Sequence, residues 1–149
     1  MKKIILFITI LFFTFTAVQA AEGLISKTSN HGVKETMDTL ETIIRDKGFN
    51  VAARVNHAAA AKQFGAILRP TEVLIFGNPK LGTLLMQSNQ TIGIDLPLKV
   101  LIWEDDKGIV TLEYNDPAWL AKRHGISDRE KAFAKMAAAL AAFSDAAVK

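Results

Sequence analysis

No cysteine occurs among the 149 residues. Its absence excludes disulfides, thiolate metal sites and lipid attachment at a processed N-terminal cysteine. Internal repeats, low-complexity tracts and Pro/Gly/Ser-rich linkers are also missing, so neither a solenoid nor a string of linked domains has support. A net excess of either charge is nearly absent too. The formal +3 contains Lys2 and Lys3, and setting these aside leaves 16 basic side chains against 15 acidic ones. A near-neutral surface of mixed sign offers no electrostatic footprint for nucleic acid or an anionic membrane.

What is present begins with an export pattern. Met1-Lys2-Lys3 precedes a run from Ile4 to Val18 that is almost wholly apolar or Thr, and Val18-Gln19-Ala20 follows as a small-x-small site. The run falls short of the roughly 20 apolar residues that a bilayer span needs. The pattern therefore predicts a signal peptide over residues 1–20, cleavage after Ala20, a periplasmic or secreted location and no membrane association afterwards; the alternative is a retained anchor. Residues 21–149 suffice for one domain with its own core.

Along that domain the apolar spacing alternates between helical and extended periods. Gly23 to Ser29 reads as a first strand, and Val33, Met37, Leu40 and Ile44 form one helical face closed by Gly48. Phe49, Val51, Ala53 and Val55 alternate with polar or small residues, as in a strand with one buried face. An Ala-rich helix over His57 to Phe64 follows, then a strand over Thr71 to Phe76 and a helix over Lys80 to Ser88. Leu98 to Trp103 is apolar at nearly every position, the mark of a central strand. Asp105-Asp106-Lys107-Gly108 predicts a hairpin returning through Ile109 to Tyr114. Asp116-Pro117 starts a helix that Gly125 stops, and Ser127-Asp128-Arg129-Glu130 has the form of a capping box for a last helix built on Phe133, Met136, Leu140 and Phe143. This order predicts an α+β fold, a single domain with a mixed or mainly antiparallel sheet and helices packed over it.

Few residues point to chemistry. Gly77 and Gly82 have the spacing of a phosphate-cradling Gly-x-x-x-x-Gly-Lys-Ser/Thr loop, but Thr83 and Leu84 stand where lysine and a hydroxyl are needed. That removes a nucleotide-hydrolase reading. The turn still supplies Asn78 as a cap and Pro79 as first helical residue, leaving N–H groups at Lys80 and Leu81 able to hold a carboxylate or phosphate. Plain strand-to-helix punctuation explains the same residues. His31, His57 and His124 share no local ligand spacing. Asp95, enclosed by Ile92, Ile94, Leu96 and Leu98, must be paired, capped or perturbed, and backbone N–H groups, Arg54 or Arg69 are the expected partners.

These residues frame three functional expectations. The first is a small-ligand-binding or assembly module whose pocket gathers His57, Asn78, Lys80, Thr83, Gln87 and Asp95 around a small anionic ligand. The second is an enzyme with His57 or Asp95 as general base and anion stabilisation at the helix start near Lys80. The third is a metal-binding protein using His57, Asp95 and His124. No residue set indicates a cofactor, and no metal site is assigned.

Several blocks taken in order carry a resemblance: Asn56-His57-Ala58, Arg69-Pro70-Thr71-Glu72, Phe76-Gly77-Asn78-Pro79-x-x-Gly82-Thr83, Leu85-Met86-Gln87, Ile94-Asp95-Leu96-Pro97-Leu98-Lys99, Trp103-Glu104-Asp105, Tyr114-Asn115-Asp116-Pro117 and Arg123-His124-Gly125. Together they resemble the domain of unknown function 302 family over nearly the whole mature chain. The family pattern usually places an acidic residue just before the histidine, where this chain has Asn56. The resemblance implies a small α+β domain, often exported and sometimes cytoplasmic, expected as a homodimer, with no assigned activity or catalytic residues.

Overall fold

A computed structural model describes residues 22–149; the expected signal peptide lies outside the described residues. Five strands and five α-helices follow one another as β1 (Leu24–Thr28), α1 (Val33–Asp46), β2 (Asn50–Asn56), α2 (His57–Gln63), β3 (Thr71–Gly77), α3 (Pro79–Ser88), β4 (Leu98–Glu104), β5 (Val110–Asn115), α4 (Pro117–Arg123) and α5 (Glu130–Ala147), with a 3₁₀ turn over Gln90–Ile94. The strands form one sheet in the order β1-β5-β4-β3-β2, every neighbouring pair antiparallel. The fold is α+β, as the apolar spacing predicts.

Strand parity decides where the core lies. Leu74 and Phe76 of β3, Leu98, Val100 and Ile102 of β4 and Val110, Leu112 and Tyr114 of β5 are buried on one face, together with the apolar stripes of α1 and α5. Val33, Met37, Leu40 and Ile44 all reach that core. Full burial of such a side chain stabilises by about 1.5–3 kcal/mol, so the stripe, more than intrinsic helix propensity, holds α1 in place. Its end is built as expected: Gly48 takes φ +76° and Phe49 N donates to Ile44 O at 3.1 Å. β4 is the middle strand, but its second face, Leu101 and Trp103, stays half-buried beside Val73 and Ile75.

Two local expectations are corrected. A bulge in β2 between Val51 and Ala53 breaks its alternation. Val51 pairs with Phe76 on the core face, whereas Ala53 and Val55 pair with Ile75 and Val73 on the other face. Arg54, opposite buried Leu74, is thereby turned toward the helices. The capping box also fails to form. α5 begins at Glu130 with Arg129 as its N-cap and no side-chain cap bond. Asp128 and Arg129 are engaged elsewhere, because Ser88 Oγ donates to Asp128 at 2.9 Å and receives the Arg129 Nε–H at 2.8 Å.

Candidate functional site

The strand-to-helix turn at Gly77-Asn78-Pro79 opens a cleft at one end of the sheet. Asn78 Oδ1 accepts from Lys80 N at 3.0 Å and Pro79 occupies the first helical turn, which fixes the direction in which α3 leaves β3. That cap also occupies the Lys80 N–H that a bound anion would need. Below the turn lies a cavity of about 370 Å³, within the size range of small-molecule sites. Its walls are Phe49 from the α1–β2 junction, Leu81 and Met86 from α3, Leu96 and Pro97 before β4, and Met136 from α5. Asn50, Asn78 and Thr83 supply the few polar groups. Phe49 is held edge-on against Phe143 and Phe76, with ring centroids 5.4 and 6.2 Å away, so this wall is braced from both α5 and β3.

Of the six expected site residues, Asn78 and Thr83 line this cavity and Lys80 lines the adjoining cleft. Gln87 is exposed on α3 and lines neither. His57 is separated from them by the whole of β2. The cavity meets that strand at Asn50 and Ala52, whereas His57 follows its far end, about 20 Å away at roughly 3.4 Å per residue. His57 and Asp95 therefore do not share a hollow, and the geometry required for a general base acting beside the α3 start is not met. The same separation disperses the metal set of His57, Asp95 and His124. Among the described residues no group of three His, Cys, Asp or Glu side chains is placed to hold a metal ion.

Asp95 is paired, but neither Arg54 nor Arg69 is its partner. Its Oδ2 lies 2.6 Å from His124 Nε2 and its Oδ1 accepts from Arg123 at 3.3 Å, both partners coming from the end of α4. His124 Nδ1 is 2.9 Å from Thr91 Oγ1, and Asn89 Nδ2 donates to the His124 carbonyl at 2.7 Å. Acid, imidazole and hydroxyl thus stand in the order of a nucleophilic triad. The hydroxyl is also 2.9 Å from Asn89 Oδ1, and the cleft residues include none of the three. The chain of bonds fastens α4 to the turn that carries Leu96 and Pro97, and so shapes one cleft wall.

A second polar cluster has little signature in the sequence. Glu72, only 6% exposed, accepts from Arg54 Nε at 2.6 Å and from Asn56 Nδ2 at 3.0 Å. Arg54 also reaches Asp38 at 2.6 Å and Glu41 at 3.4 Å on α1. Burial works against the Arg54 charge, but the bonds to Glu72 and Asp38 outweigh it and raise its pKa. Lys34 and then Arg54 hold the Asp38 carboxyl below its usual range; Arg45 does the same for Glu41, opposed by desolvation and helped by Arg54. The only advance signal was an acidic residue at a core-parity position of β3, which requires a partner.

The geometry defines a single-domain α+β protein with an antiparallel sheet, helices over one face and an apolar cleft at the Gly77 end. Residues 25–143 match the family described as Domain of unknown function DUF302, and the chain belongs to that family. The fold is similar to the crystal structure of an uncharacterized conserved protein DUF302 from Bacillus stearothermophilus, with a TM-score of 0.75 and 21% identity over 87% of this chain and 100% of that one. The chain is also 51% identical over 104 residues to Fluoride-specific ion channel FluC 1 of Brucella suis biovar 1 (strain 1330) and to its namesake in Brucella abortus biovar 1 (strain 9-941). Those matches cover 70% of this chain but only 41% and 38% of the relatives. Among the described residues no helix is long and apolar enough to cross a membrane.

Proposed function

We propose that this chain is an exported, homodimeric small-ligand-binding or assembly module whose ligand sits in the cleft beneath the Gly77-Asn78-Pro79 turn. The observation that carries the reading is the cavity of about 370 Å³, apolar on most sides, with Asn78 and Thr83 at its border. Export is supported by the Met1 to Ala20 pattern. A thermal-shift screen of carboxylates, phosphate esters and apolar small molecules tests it: one class should raise the melting temperature, and silence across the panel removes the ligand reading.

The Brucella relatives favour the assembly version in one respect. More than half of each lies outside the match, and the matched fold has no membrane-crossing helix among the described residues. A segment shared with a channel, with no membrane-crossing helix among its described residues, fits an appended module better than a pore. By analogy the present chain docks on an ion channel. Fluoride efflux from vesicles holding a fluoride channel, with and without the purified chain, tests this version; identical efflux together with no co-sedimentation overturns it.

A further inference from the structure

The cavity does not stand alone. A second cleft of about 450 Å³ shares Phe49, Asn78, Leu81, Leu98 and Met136 with it, so the two form one trough between α3 and α5. No acidic side chain lines either part. The outer part is bordered by Lys80 from α3 and Lys135 from α5. Among the described residues neither ammonium group forms an ion pair, although Lys27 and Lys34 both do.

An apolar trough bordered by two exposed cations outside any ion pair selects by both halves. A short anion gains only an exposed ion pair, which is weak. A neutral apolar molecule fills the walls but leaves the lysines unused. We propose that the trough binds a single-chain amphiphilic anion, a medium-chain fatty carboxylate, with its tail along Met86 and Met136 and its carboxylate at Lys80 and Lys135. The proposal rests on the ligand-binding reading above and narrows the ligand class.

The test is a titration with hexanoate, octanoate and decanoate below their micelle concentrations, with decanol as the neutral control, read from the methionine methyl resonances. Met86 and Met136 should shift, while Met37, fully buried in the core away from the trough, should not. Affinity should rise roughly fourfold per added methylene, the value of burying one CH₂. The Lys80→Gln/Lys135→Gln double variant should lose about tenfold for decanoate and nothing for decanol. Ala52→Trp, at an exposed position on the cavity border, should abolish binding of both. Affinity independent of chain length, decanoate binding unchanged in the double variant, or binding that survives Ala52→Trp each overturns the proposal. If decanoate leaves the methyls unmoved while the thermal-shift panel finds another ligand, the amphiphile class falls and the ligand-binding reading stands. Silence in both removes both.

Discussion

Asp95 Oδ2 and His124 Nε2 stand 2.6 Å apart across 29 residues of sequence, with the imidazole side chain 5% exposed and the carboxylate 11%. A pair so enclosed fixes its neighbourhood, since removing one partner leaves the other desolvated and unmatched. Asp95→Ala should therefore destabilise by about 1–3 kcal/mol, the penalty for an unsatisfied buried polar group. Urea unfolding measures it. Because the pair anchors the turn carrying Leu96 and Pro97, the same variant should also weaken any ligand of the cleft. Wild-type stability in Asp95→Ala would show that the pair does not hold α4 to that turn.

The Arg54 cluster predicts acid sensitivity of definite sign. Asp38 and Glu41 have folded pKa values lowered from ordinary values of 3.8 and 4.5 by Lys34, Arg45 and Arg54. A depressed carboxyl contributes stability above its unfolded pKa, and loses it as pH falls through the folded value. Stability should thus hold down to about pH 5 and decline below the ordinary carboxylate range. Replacing Arg54 by Met should flatten that decline as well as lower stability at neutral pH, because Glu72 is left buried beside Asn56 alone. Chemical unfolding at a series of pH values measures both effects; an unchanged acid slope in Arg54→Met would show that the cluster is not its source.

The sequence made most of the architecture legible because helix stripes, caps and turn residues act locally. Asn78-Pro79 and Asp116-Pro117 start their helices as predicted, with each cap side chain accepting from the residue two positions on. Asp105 closes its hairpin by accepting from Lys107 N and Ile109 N, each at 2.8 Å. Effects that depend on a distant partner were hidden. The β2 bulge inserts one residue into an otherwise regular alternation, and nothing in Val51-Ala52-Ala53 announces it. Ser127-Asp128-Arg129-Glu130 has the right letters for a cap, but α5 begins only at Glu130, too late for Ser127 to cap it, while Asp128 and Arg129 bond Ser88, about 40 residues earlier. The candidate site was partly legible for the same reason. Asn78, Lys80 and Thr83 are neighbours in sequence and stay together, whereas His57 also stands at a strand end beside a helix start, but at the opposite end of the sheet from the cleft. Met136 sits on the apolar face expected of the last helix, and only the cleft shows that it also borders a cavity with Met86.

Gly23 tests close packing at the start of β1. It adopts φ +85°, and a Cβ placed there would come within 2.5 Å of the Trp119 ring. Trp119 is itself covered by Arg123, whose guanidinium carbon lies 5.1 Å from the ring centroid. Gly23→Ala therefore combines an unfavourable backbone region with a clash against a ring that is held in place. A loss of about 1–3 kcal/mol is expected, with altered tryptophan fluorescence as the ring moves. A neutral substitution would mean that β1 pairing with β5 is not fixed at Gly23.

The proposed dimer is best placed on the sheet face opposite the helices. Val55, Val73 and Leu101 lie in register across β2, β3 and β4, with Trp103 and Ile75 beside them, all half-buried. A contiguous apolar row of this kind is where a second copy can pack by two-fold symmetry. Toward β5 the row turns polar: Leu101 is opposite Glu113, which accepts from Ser26 Oγ at 2.8 Å and Trp103 Nε1 at 3.1 Å. Leu101→Lys exploits that boundary. Within one copy the new ammonium faces Glu113 across the strands, an arrangement that favours opposite charges, so the fold should survive with less than about 1 kcal/mol lost. Across a two-fold the same substitution puts a cation in each apolar row, where the facing copy would strip it of water, which should convert dimer to monomer. Light scattering after size-exclusion chromatography should give twice the chain mass for the natural protein and the single-chain mass for the variant, with unchanged circular dichroism. A natural protein already monomeric at micromolar concentration would remove the second copy from this face.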